Sequence, residues 1–242
     1  MELKKILIVV PAFNEEGNIG RTVKEILAQK VPVEVCVVND GSADATSIEA
    51  RAAGAMVLEL PFNLGIGGAV QTGFAFGYRK DFDIVVQVDG DGQHDVSFLP
   101  QLLEPLLKGE ADMVVGSRFL GNAQGFRSSY WRRLGIGYFS RLIGFLTGSP
   151  VTDPTSGFRA CGRVLIETFA HYYPQDFPEP EAIVVAHRRK AVVVEVPVVM
   201  RPREAGLSSI RRLKSLYYMI KVTVAILLHM IRGQRQWSEN VD

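Results

Sequence analysis

Ile84-Val85-Val86-Gln87-Val88 runs directly into Asp89-Gly90-Asp91-Gly92-Gln93-His94, so a mostly apolar run breaks off on two carboxylates and an amide. A continuous run without alternation reads as a strand buried on both faces, the habit of parallel sheets covered by helices. The acidic group then sits at a strand's carboxyl end, where open α/β sheets bind ligands. Adjacent carboxylates repel and are costly to desolvate. Asp89 and Asp91 at a strand tip therefore point to a hard cation, Mg²⁺ or Mn²⁺, with Gln93 as a neutral oxygen ligand. An Asp/Gly turn of the kind that follows many strands explains the same residues without a ligand.

Working outward, residues 5–10, 33–38, 55–60 and 113–115 are further β-branched runs. Residues 19–29, 44–53, 67–78 and 98–107 between them carry helical periodicity. Strands separated by helices of this length predict right-handed crossovers and an α/β fold, a mostly parallel sheet with helices on both faces. All strand carboxyl ends then share one edge. Pro11-Ala12-Phe13-Asn14-Glu15-Glu16, Asn39-Asp40-Gly41-Ser42 and Asn63-Leu64-Gly65-Ile66-Gly67-Gly68 follow the first three strands, and the Asp89 cluster follows the fourth. Four polar or Gly-rich tips on one crevice predict a nucleotide site. Neither the dinucleotide Gly-x-Gly-x-x-Gly nor a P-loop Gly-Lys-Ser/Thr is present. Gly65, Gly67 and Gly68 open a helix and either approach a ligand or form a plain tight turn.

The chain has 242 residues and a formal charge of +1, so no global field favours nucleic acid as a partner, and phosphate binding must come from local arginines. Cys36 and Cys161 are its only cysteines, which argues against a disulfide scaffold or a Cys-based metal site and for a reducing compartment. The opening residues lack a signal peptide's hydrophobic region, so the N-terminus reads as cytoplasmic.

The pattern changes after Ser117. Residues 131–148 are apolar and aromatic but broken by Arg132, Arg133 and Arg141, too short and charged to span a bilayer. They fit either a membrane interface or an amphipathic helix packed on the sheet. Residues 182–189 and 191–199 read as a helix and a strand ending at Pro197. In residues 209–232, Arg211, Arg212, Lys214 and Lys221 lead into an apolar stretch, again short of a bilayer span. This reads as an interfacial or partner-binding helix, giving a catalytic domain over 1–207 and a C-terminal helix and tail over 208–242.

Taken in order, these strings resemble family 2 glycosyltransferases of GT-A fold, and more narrowly the polyprenyl-phosphate hexosyltransferases related to dolichol-phosphate mannosyltransferase. Gly116-Ser117-Arg118, Asp153-Pro154-Thr155-Ser156-Gly157-Phe158-Arg159 and Arg203-Glu204-Ala205-Gly206 complete the match, which runs from about residue 4 to 218. The resemblance implies that Pro11, Phe13, Glu15 and Asp40 hold the base and ribose of a nucleotide-sugar. It implies that Asp89, Asp91 and Gln93 bind the diphosphate through the metal. It places Arg118 and Arg132 at the acceptor phosphate and Arg203 at the donor phosphates.

Two departures stand out: Ile66 and Ser208-Ser209 occupy positions where many relatives carry lysine, and the chain has one marginal helix where many relatives add membrane spans. The implied reaction is inverting transfer of a hexose from UDP-glucose or UDP-N-acetylglucosamine, in preference to GDP-mannose, to undecaprenyl phosphate for cell-envelope glycan synthesis. It would run at the cytoplasmic face of the membrane, with a small integral membrane protein as a further partner. Arg159 either joins the phosphate site or braces its loop through Asp153. Glu179 and Glu181, flanked by Pro178 and Pro180, read as an acidic turn facing the cleft, with Glu181 at a sugar hydroxyl. One alternative is a glycan hydroxyl as acceptor, with Glu181 as base. The other is a non-catalytic nucleotide-sugar-binding subunit of a membrane complex.

Overall fold

A computed structural model describes residues 4–121, 130–176, 178–201 and 212–231. In chain order the elements are β1 (Ile6–Ala12), α1 (Ile19–Leu27), β2 (Glu34–Asn39), α2 (Thr46–Ala52), β3 (Met56–Glu59), α3 (Gly65–Arg79), β4 (Ile84–Gln87) and α4 (Leu99–Lys108). They continue with β5 (Met113–Ser117), α5 (Tyr130–Thr147), β6 (Arg159–Gly162), α6 (Arg163–His171), α7 (Pro178–Arg188), β7 (Val193–Pro197) and α8 (Arg212–Ile231). The strands form one sheet in the order β3-β2-β1-β4-β6-β5-β7. Pairing is parallel except for β6, which runs antiparallel to both β4 and β5.

The elements expected from the first half of the sequence are present, with ends displaced by a residue or two. Alternation along β1 explains the layering. Leu7 and Val9 join a core built with Val70, Phe74, Ile166, Phe169 and Val184 of α3, α6 and α7. Ile6, Ile8 and Val10 face Ile19, Val23, Leu102 and Leu106 of α1 and α4. Helix α3 lies close on the sheet because Gly73 and Gly77 lack side chains: a Cβ there would come within 2.2 Å of Val9 and 2.7 Å of Val85.

Two readings are corrected. Strand β6 and helix α6 were not foreseen, because Arg159-Ala160-Cys161-Gly162 begins on a charge, ends on glycine and shows no alternation. The segment with Glu179 and Glu181 is the first turn of α7, not a turn outside a helix. Proline is tolerated there because first-turn N–H groups have no intrahelical acceptor, and acidic residues complement the helix dipole.

Helices α5 and α8 each bury one stripe and expose another. Ile136, Phe139 and Ile143 of α5 and Val222 and Ile226 of α8 are core residues. Leu134, Tyr138 and Phe145 of α5, and Ile220, Val224, Leu227 and Leu228 of α8, are exposed. Among the described residues, no helix is long and apolar enough to cross a membrane. Cys36 and Cys161 are buried free thiols, and burial pushes both pKa values up to about 12, so neither is a nucleophile at neutral pH.

Candidate active site

The loops after β1 and β2 are bonded to each other. Asn14 N–H donates to Ser42 Oγ (2.9 Å), Ala43 N–H to Asn14 Oδ1 (3.0 Å) and Glu15 N–H to Thr46 Oγ1 (2.9 Å). Asn14 takes a positive φ of 54°, which asparagine tolerates better than most residues. Pro11 is buried in β1, whereas Phe13 stands 49 % exposed at its tip and Glu15 is half-buried beyond it. Asp40 is buried and organises the next tip: Oδ1 accepts Leu64 N–H (2.6 Å) and Oδ2 accepts Gly65 N–H (2.9 Å). The glycines at the start of α3 pack on the chain itself. A Cβ on Gly67 would lie 2.2 Å from the Gln175 carbonyl, and one on Gly68 would lie 2.5 Å from Leu64 Cβ.

The Asp89 turn is built around a buried histidine. His94 Nδ1 accepts Asp89 N–H (3.0 Å), its Nε2 lies 3.5 Å from Asp89 Oδ2, and its ring stacks on Phe158 with centroids 5.1 Å apart. Gly157 abuts the same carboxylate, since a Cβ there would fall 3.0 and 3.1 Å from its two oxygens. Asp91 Oδ1 accepts Gln93 N–H (3.0 Å), and Gln93 O accepts Arg201 N–H (2.8 Å). Arg201 is in turn ion-paired with Glu25 and Asp95.

The Asp89 carboxylate is 39 % exposed. Among the described residues no three His, Cys, Asp or Glu side chains are placed to hold a metal. This donor set does not form a protein cage. It fits a Mg²⁺- or Mn²⁺-type ion held by one or two carboxylates and completed by substrate phosphate oxygens.

Because β6 runs antiparallel, its amino end lies at the same edge as the carboxyl ends of β4 and β5. Arg159 pairs in register with both Gln87 and Val115. The loop leading into β6 meets Arg118 at the end of β5. Arg118 Nε and Nη2 donate to Asp153 Oδ2 and Oδ1 at 2.6 and 2.7 Å, and Nη2 also donates to Thr155 Oγ1 (2.9 Å). The Arg118 and Asp153 side chains are 3 % and 0 % exposed. Glu195 of β7 fixes this loop by accepting the N–H groups of Thr152 and Asp153. Asp153 therefore belongs to Arg118, which corrects the expectation that Arg159 would pair with it.

Glu179, half-buried in the first turn of α7, belongs to the same surroundings. Burial and the nearby Asp89 charge push its carboxyl above the usual range, opposed by Arg159 and Arg118. Glu181 is half-buried one residue beyond Pro180. Arg132 lies in the first turn of α5, its side chain outside the described residues, and Arg203 lies outside them altogether.

Residues 7–169 match the family described as Glycosyl transferase family 2. The chain belongs to that family. An undecaprenyl-phosphate mannosyltransferase of Micrococcus luteus is 30 % identical to this glycosyltransferase over 217 residues, covering 84 % of this chain and 86 % of the relative. A UDP-N-acetylglucosamine–dolichyl-phosphate N-acetylglucosaminyltransferase of Methanococcus voltae is 28 % identical, covering 81 % and 85 %. Among solved structures, glucosyl-3-phosphoglycerate synthase of Mycobacterium tuberculosis with Mn²⁺, UDP and phosphoglyceric acid is similar at TM-score 0.72 and 25 % identity, over 95 % of this chain and 80 % of that one. The same synthase has also been solved with Mg²⁺ and UDP. In that synthase a fold similar to this one thus takes up a divalent metal together with a nucleoside diphosphate.

Sequence reasoning gave no working role to His94 or Gly157, and it gave Asp153 to Arg159 instead of Arg118. His94 lay inside a quoted motif, yet its role depends on Phe158, 64 positions away. Asp153 was visible as a charge, but nothing in its spacing from Arg118 announces a bidentate pair.

Proposed function

We propose that this glycosyltransferase moves a hexose, from UDP-glucose or UDP-N-acetylglucosamine in preference to GDP-mannose, onto a polyprenyl phosphate at the cytoplasmic face of a membrane. The observation that carries the reading is the half-exposed Asp89–Asp91 strand tip sharing one sheet edge with Arg118. The polyprenyl-phosphate acceptors named for two relatives supply the substrate class. A phosphomonoester is largely ionised at neutral pH, its second pKa being about 6, so the acceptor needs no general base.

What the reaction needs is two polyanions brought together. Asp89, Asp91 and Gln93 would hold the metal ion, which supplies charge neutralisation for the departing diphosphate. Asp40 shapes the turn against the nucleotide, with Pro11, Phe13 and Glu15 as its neighbours. Arg118 and Arg132 orient the acceptor phosphate, Arg203 meets the donor phosphates, and Glu181 meets a sugar hydroxyl.

The test is transfer of labelled sugar from UDP-glucose, UDP-N-acetylglucosamine and GDP-mannose to a short polyprenyl phosphate, with Mn²⁺, with Mg²⁺ and with EDTA. The expected result is a chloroform-extractable product from one UDP-sugar that EDTA abolishes. Transfer to a soluble phosphate or glycan, with none to lipid, overturns the acceptor assignment.

The exposed apolar stripes of α5 and α8 supply the membrane contact, alone or with a small membrane protein. Deleting α8 would also strip Val222 and Ile226 from the core, so the better variant changes only exposed positions. Ile220→Ser, Val224→Ser and Leu227→Ser together are expected to reduce sedimentation with anionic liposomes while leaving the thermal transition in place. Unchanged sedimentation would remove α8 from the contact.

A further inference from the structure

Arg159 is 2 % exposed, and among the described residues no carboxylate lies within ion-pair distance of its guanidinium. Its bonds all go to backbone carbonyls: Nε to Ser156 O (2.6 Å), Nη2 to Pro154 O (2.9 Å) and Nη1 to Glu179 O (2.6 Å). Burying a cation with no carboxylate in direct contact is costly, and an apolar side chain of similar volume would fill the space more cheaply. The position of the three carbonyls accounts for the residue. Two belong to the loop that carries Asp153, the partner of Arg118, and whose Gly157 sits against the Asp89 carboxylate. The third belongs to the first turn of α7, which carries Glu179 and Glu181.

We propose that Arg159 is a positioning residue of the transfer site, a buried fork that fixes the Arg118–Asp153 loop against the start of α7. The inference rests on the transfer reaction proposed above. Lysine keeps the charge but presents a single ammonium, which cannot reproduce a planar fork reaching three carbonyls. None of the three bonds touches the loops after β1, β2 and β3, where the nucleotide would sit.

The test is Arg159→Lys, assayed for transfer with donor and acceptor varied separately. The number of competent molecules is taken from UDP binding by calorimetry, so that loss through unfolding is divided out. Misplacement of reacting groups by about an ångström costs up to about 100-fold. The expected result is a fall of about 10- to 100-fold in turnover per UDP-binding site with a raised acceptor KM, the donor KM staying within about twofold. Turnover per UDP-binding site within about twofold of wild type, or donor and acceptor KM raised together, overturns the proposal, because either result reduces Arg159 to a general brace. Wild-type protein in the same assay separates the two readings. No lipid product from wild type removes the transfer reaction itself, whereas wild-type transfer with an unaltered Arg159→Lys variant removes only the positioning role.

Discussion

Asp153→Ala is expected to destabilise the protein by about 3 to 5 kcal/mol, because it leaves the Arg118 guanidinium buried beside an uncompensated gap. In a domain of this size that lowers the melting temperature by on the order of 10 °C. The pair is well formed, with two short parallel bonds and both side chains almost wholly out of solvent. Removing one partner therefore costs far more than the pair itself contributes. Arg118→Met/Asp153→Ala removes both charges and is expected to recover most of the lost stability, a non-additivity that a double-mutant cycle measures directly. The double variant also separates structure from chemistry. Folded protein without transfer assigns Arg118 to the acceptor phosphate, and folded protein with full transfer makes the pair a structural brace. A loss under about 1 kcal/mol for Asp153→Ala would show that water or another partner compensates the guanidinium once Asp153 is gone.

This pair marks where sequence reading stops. The parallel half of the sheet was legible because its strands are β-branched runs with helices of regular period between them, and local pattern fixes such units. The strand-tip carboxylates were legible for the same reason, since Asp89 follows directly on the run that ends at Val88. Strand β6 was not, because four residues beginning with Arg159 owe their conformation to the strands on either side and not to their own composition. Everything that depends on β6 was hidden with it. The antiparallel insertion brings the 152–158 loop to the ligand edge, places Gly157 against Asp89 and gives Asp153 to Arg118. It also turns Glu179 from a residue of a cleft-facing turn into a half-buried carboxyl near two arginines. The exposed stripes of α5 and α8 were foreseen as apolar, but the division of α8 into core positions Val222 and Ile226 and exposed positions beside them required the neighbouring helices.

The metal assignment leads to the largest effect on activity. Asp91→Asn keeps an oxygen that can accept the Gln93 N–H, so the turn retains that bond while losing the charge. Transfer is expected to fall about 100-fold or more, the equivalent of about 3 kcal/mol of transition-state stabilisation. The Mn²⁺ concentration needed for half-maximal activity should rise in parallel, because a neutral amide is a weaker ligand than a carboxylate for a hard cation. Asp89→Asn is a less clean variant. Its side chain is crowded by Gly157, by Gln87 Nε2 at 3.5 Å and by the buried His94, so an amide there alters packing as well as charge. The two variants together therefore decide whether the strand tip acts through its charge. An Asp91→Asn protein with turnover within about threefold of wild type and an unchanged metal requirement would place the ion elsewhere. The Asp–Gly sequence after β4 would then be no more than the tight turn that its composition also allows.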